Sequence, residues 1–435
     1  MRPVIWLCLL VTSYFYCLPL GRFTLVGIAS DFRIFDFVVL AFWLVNWNYL
    51  TAGLNFIYSK RQLATHYVKY LMIIILISLI FNFIFRGSSY IGPTLIRTYR
   101  FMAYLSTLVA VIAIVDNRQK FKLLLTVFFI NILVQAVLAF LQGIGVLNSF
   151  WPDYWREMYS FMDSPVATLS PHHKHIAIVM LMGFSLAVAL LFYSRNLLVK
   201  LFFAVCALLM VIVPLMSGTR TFVLGMTGVV LALLWITRGR SIGIALFLGI
   251  GLLVVSRNLP EEVSEVTLER INEKYEERVL RGYERGGVER LAVERTVIYE
   301  SVFRAIGNYP YLLITGSGFQ AASVFIFGNG AHNNFLQFLI ETGLIGLSVF
   351  LLFLFTMSKN LLAAGRYMRY SFENSIARFV WIGLIGLIFT MFVGETFYAQ
   401  AAMFTLTGQI MVFLGLGIAP FFWQSIIRDG VPVYK

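Results

Sequence analysis

The chain has 435 residues, 60% hydrophobic and only 13% charged, a composition that excludes a soluble domain and matches a polytopic membrane protein. Its formal net charge is +13, yet Lys and Arg fall in short clusters between apolar runs, which excludes a nucleic-acid binder and marks them as topology determinants. Cys8, Cys17 and Cys206 all lie inside apolar runs without paired spacing, so neither a disulfide framework nor a cysteine metal site is expected.

The first apolar run, 4–20, lacks a small-residue cleavage pattern and reads as a retained span. Further spans fall near 35–56, 68–85, 101–115, 121–146, 176–194, 199–216, 221–237, 241–256, 335–357, 375–394 and 402–424, about twelve in total. The expected fold class is therefore an all-α polytopic membrane protein with a single transmembrane domain over residues 1–435. Its basic loops alternate. Lys60, Arg61 and Lys69, then Arg118, Lys120 and Lys122, then Arg195 and Lys200, then Arg238 and Arg240, then Lys359, Arg366, Arg369 and Arg378 fall on one side. The positive-inside rule makes that side cytoplasmic and places both termini there.

Positive charge on the opposite side then needs a reason. Arg97 and Arg100 open the fourth span and are either snorkelling anchors or functional groups. "SPHHKH" at 170–175 puts His172, His173 and His175 outside near Asp163; it reads as a solvated loop before the sixth span, with no assigned role. Arg220 follows "MSGT" in a loop of a few residues and must sit close to the membrane surface. The long external segment 258–334, between the ninth and tenth spans, mixes Glu and Arg with apolar residues at helical spacing. Amphipathic helices lying against the membrane face are expected there, broken at Gly286-Gly287 and ended by Pro310 and "GSGF" at 316–319.

A transporter carries its working charges near the bilayer midplane, commonly on broken helices. Here Asp31, Arg33, Asp36, Arg220 and Glu395 mark outer helix ends, and Glu341 is the one acid clearly inside a span. That distribution describes an enzyme site at the external surface, roofed by the long loop, rather than a permeation path. The tenth span opens with "GNGAHNNFLQFLIETGLIG" at 328–346. His332 precedes its first turn, where the helix dipole disfavours added positive charge, so the imidazole is expected neutral and able to accept a proton. Asn333 or Asn334 can cap the helix through a side-chain oxygen. Glu341, nine residues on, is about half a turn out of phase with His332 and is expected to face another helix rather than orient the ring. Arg220, and Arg295 in "ERTVIYESVF", offer guanidinium forks that match phosphate oxygens.

Three stretches, "SGTRTFVL" at 217–224, "ERTVIYESVFRAIGNYPYLLITGSGF" at 294–319 and "HNNFLQFLIETGLIG" at 332–346, resemble the O-antigen ligase and polymerase family of bacterial envelope glycosyltransferases. Tyr299 departs from the tryptophan common in relatives. The resemblance implies a C-type membrane glycosyltransferase of the bacterial inner membrane, acting on the periplasmic side without metal or other cofactor. It would move glycan from undecaprenyl diphosphate to a lipid A–core hydroxyl. On the matching positions His332 would activate the acceptor hydroxyl, while Arg220 and Arg295 would hold the departing diphosphate; Asn333, Asn334, Arg97 and Arg100 are candidate supporting residues. Attack opposite the diphosphate would invert the anomeric centre. Polymerisation of glycan repeats is the alternative within the family, and a secondary transporter the alternative outside it. Only "RDGVPVYK" follows the last span, so a relative with a large additional domain is not expected.

Overall fold

The structure is a computed structural model that describes residues 2–25, 28–59, 63–86, 91–151, 165–170, 172–237, 287–322, 330–367, 371–394, 396–397 and 405–428. In chain order the elements are α1 (Arg2–Ser13), β1 (Pro19–Leu25), β2 (Ile28–Arg33), α2 (Ile34–Ser59), α3 (Leu63–Arg86), α4 (Ile91–Ile114), α5 (Arg118–Gly143), α6 (His173–Tyr193), α7 (Leu197–Met216), α8 (Arg220–Thr237), α9 (Gly287–Asn308), α10 (Leu312–Thr315), α11 (Asn334–Tyr367), α12 (Phe372–Met391) and α13 (Leu406–Arg428). Seven of these helices are long and apolar enough to cross a membrane, and four shorter apolar helices lie within α1, α2, α8 and α13. Each coincides with an expected span; the expected span at 241–256 lies outside the described residues. The chain is a multi-pass, helical membrane protein.

One expectation needs correction. The apolar run 4–20 does not form one helix: α1 ends at Ser13 and the chain continues into an antiparallel hairpin, β1 against β2, with Leu25 opposite Ile28 and Pro19 opposite Arg33. Groups distant in sequence take up the backbone groups freed at that exit. The Tyr14 carbonyl accepts from Gln409 Nε2 at 2.7 Å and Thr405 Oγ1 at 2.6 Å. Thr168 Oγ1 donates to the Phe15 carbonyl at 2.8 Å, and the Cys17 N–H donates to the Thr168 carbonyl at 3.1 Å. Hydropathy along the chain cannot register this stop, because its partners lie more than a hundred residues away.

α6 is apolar around its whole circumference and its residues 176–189 are all buried, as expected of a helix enclosed by others. It packs on α7, α8 and α12. α8 crosses α12 through small residues: a Cβ added at Gly225 would stand 2.8 Å from Leu181 and 2.9 Å from Thr390, and one at Gly228 would stand 2.9 Å from Phe389. Glycine there permits the close backbone approach common between membrane helices. The pairing is antiparallel, so the start of α8 and the end of α12 share one end of the bundle.

α11 is two helices joined at Gly343, whose φ of 67° and ψ of −172° interrupt the helix. The carbonyls of Ile340 and Glu341 before that break accept from the N–H groups of Ser317 at 2.7 Å and Gly318 at 3.0 Å. Gly316, at φ 72°, passes against Glu341 and Gly343 passes against Ile314 so closely that a Cβ on either would strike backbone. The glycines of "GSGF" and "ETG" are thus one interlock between the external segment and α11.

Candidate active site

His332 is one of three non-glycine residues with positive φ among those described, at 48°. The left-handed region is uncommon for a residue with a Cβ and persists where neighbours hold it. The Ala331 N–H donates to Gln337 Oε1 at 2.8 Å, and Gln337 Nε2 donates to Glu341 Oε1 at 2.6 Å. On the other side, Asn333 Oδ1 accepts from the N–H groups of Phe335 at 2.9 Å and Leu336 at 3.2 Å, capping α11, while its Nδ2 donates to the Phe392 carbonyl at 3.1 Å. The cap therefore belongs to Asn333. Asn334 does different work: its Oδ1 accepts from the N–H groups of Thr396 at 2.7 Å and Phe397 at 2.9 Å, tying the chain beyond α12 to the start of α11.

Glu341 was expected to face another helix. Its carboxylate meets Gln337, one turn back on its own helix, and through Gln337 it reaches the peptide before His332. Both side chains are buried. Replacing Gln337 with leucine should remove one hydrogen bond from the Glu341 carboxylate and leave the buried Ala331 N–H without this acceptor, lowering stability by about 1–3 kcal/mol, the usual range for orphaning a buried polar group. A fall in the unfolding midpoint in detergent would report it. Glu341→Gln, which keeps an acceptor oxygen, should stay near wild type.

The apolar face of α9 docks beside this loop. Ile298, Val302 and Ala305 pack in one cluster with Ala331 and Ile340, so the expected amphipathic helix presents this face to the protein. Arg295 lies one turn before Ile298 on α9, which brings its helix to the His332 loop; its side chain lies outside the described residues. Arg220 is exposed at the first turn of α8, five residues before Gly225, or about 7.5 Å along the axis. Since Gly225 meets Thr390 and Asn333 meets Phe392, Arg220 and the His332 loop share one end of the bundle, on either side of the end of α12.

The remaining candidates separate. Arg100 is buried and committed to Asp36, with Nε to Oδ1 at 2.8 Å and Nη2 to Oδ2 at 2.7 Å. It is therefore a fixed internal ion pair and not a snorkelling anchor. Arg97 donates to Gln320 Oε1 at 3.0 Å, next to the interlocked "GSGF" segment. The expected solvated loop at 170–175 needs correction: α6 already begins at His173, and His173 and His175 are buried; among the described residues the three histidines form no ligand set. His172 caps α6, its Nδ1 accepting from the Lys174 N–H at 3.2 Å, and stacks on His173 with ring centroids 4.6 Å apart. His175 is fully buried, with Nε2 2.8 Å from Gln409 Oε1. Asp163 and Glu395 lie outside the described residues.

One residue of the His332 loop, Gln337, was not anticipated from sequence. Gln337 was legible in principle, as an amide between Ala331 and Glu341 on an otherwise apolar first helix.

No curated protein sequence matches the chain. Residues 205–351 match a family model described as O-antigen ligase, a stretch that runs from within α7 through the interlocked glycines and the first half of α11. Over that segment, which contains Arg220, Arg295 and His332, the chain is similar to the O-antigen ligase family.

Proposed function

We propose that this protein is a C-type membrane glycosyltransferase with twelve spans that transfers glycan from undecaprenyl diphosphate to a lipid A–core hydroxyl. The reaction takes place at the periplasmic face of the bacterial inner membrane. The observation that carries the reading is the clamped, left-handed His332 loop sharing one bundle end with Arg220 inside the family-matched segment. His332 accepts the proton of the acceptor hydroxyl as its oxygen bonds to the anomeric carbon. The bond from that carbon to the diphosphate oxygen breaks, and the diphosphate leaves with the bonding pair. Arg220 and Arg295 neutralise the departing oxygens. In-line displacement inverts the anomeric configuration.

Incubating purified protein with an undecaprenyl-diphosphate glycan and a lipid A–core acceptor should yield glycosylated lipid A–core with release of undecaprenyl diphosphate. Elongated glycan still attached to the carrier would instead identify a polymerase of the same family. Movement of the donor across vesicles without transfer would overturn both readings.

The chemistry requires the His332 end to face outward. In a cysteine-free background, a cysteine at the exposed Asn308, the last residue of α9, should react with an impermeant thiol reagent in intact spheroplasts. One at the exposed Arg195, in the turn between α6 and α7, should react only after permeabilisation. The reverse labelling would put His332 on the side where outward-flipped donor is absent.

A further inference from the structure

At the end of the bundle away from His332, a cavity of about 550 Å³ lies between α5, α6, α7 and the start of α12. Its wall along α5 is one helical stripe, Lys122, Leu125, Phe129 and Leu133, continued by Tyr193 of α6 and Phe203 of α7. The stripe covers twelve residues, about 16 Å of helix, close to half of the roughly 30 Å hydrocarbon core of a bilayer. The groove therefore runs from the interfacial lysine to mid-membrane, the depth of one leaflet.

Charge distinguishes its mouth from a generic greasy surface. Three basic residues open α5. Arg118 is paired with Glu373 at 2.7 Å and Lys120 with Asp116 at 2.7 Å. Lys122 is exposed at the groove and has no carboxylate partner among the described residues. The Tyr193 ring lines the same cavity and is itself partly exposed, its amphipathic shape suited to the headgroup level. A cation and a phenol at one end of a leaflet-deep apolar slot match an amphiphile with an anionic head and a straight tail.

We propose that this groove is a binding site for an anionic glycerophospholipid, its phosphate at Lys122 and one acyl chain along Phe129, Leu133 and Phe203. The site stands apart from the His332 region: α6 spans from His173, at the His332 end, to Tyr193, at the groove, 21 residues or about 30 Å. Its occupant is a lipid of the opposite leaflet and not the glycan donor.

Native mass spectrometry of the detergent-purified full-length protein tests this with phosphatidylglycerol and phosphatidylcholine of identical acyl chains. One phosphatidylglycerol should bind saturably and phosphatidylcholine should not. Lys122→Gln, at an exposed position where folding is not at stake, should weaken phosphatidylglycerol about tenfold, as losing one charge-assisted contact implies. Lys200→Gln, a neutralisation outside the groove at the same end, should leave it unchanged. Leu133→Trp, which fills the deep end, should also reduce retention. Equal binding of the two lipids, equal losses in the two lysine variants, or displacement of the bound lipid by undecaprenyl phosphate would overturn the assignment. Lipid binding retained in His332→Ala would show that the groove and the transfer site are independent; loss there would also overturn it.

Discussion

His332→Ala should lose glycan transfer by about 10²–10⁴-fold, the contribution of general-base assistance to a weak hydroxyl nucleophile, while the protein stays inserted and folded. The left-handed backbone at His332, φ 48°, complicates the alanine variant, because histidine adopts that region more readily than alanine does. His332→Asn separates the two effects: asparagine tolerates this conformation and supplies no base. Loss of turnover in both variants, with donor affinity unchanged, is the expected result. Activity restored in the asparagine variant would assign His332 to shaping the loop, and wild-type turnover in both would remove it from the chemistry.

Arg220→Lys keeps the charge and should still lower kcat/KM by about tenfold or more, since an ammonium cannot grip two phosphate oxygens as a planar fork does. Arg220→Ala should fall further, into the 10²–10³-fold range typical of losing a donor to a developing oxyanion. Packing is not at issue, because Arg220 is exposed and α8 is positioned by Gly225 and Gly228 against α12. Unchanged rate and donor affinity in the lysine variant would make Arg220 a membrane-interface anchor.

Sequence by itself determined which segments are apolar helices, the amphipathic helix beginning near Gly287 and the residues that carry the family resemblance. Each is a local property: hydropathy, helical spacing and motif order survive without knowledge of any partner. Tertiary structure decided how those pieces act on one another. Whether Asn333 or Asn334 caps α11 depends on where residues 396–397 pass, since the second amide is taken by them. The end of α1 at Ser13 depends on Thr168, Thr405 and Gln409, none near it in sequence. Glu341 is half a turn from His332 on an ideal helix, yet Gln337 carries its hydrogen bond back to a peptide that has already left the helix. Arg97 and Arg100, indistinguishable as outer arginines, part once Asp36 claims one and Gln320 the other. Buried polar groups must find partners, and a sequence states which groups need them; only the packed helices show which partners come within reach.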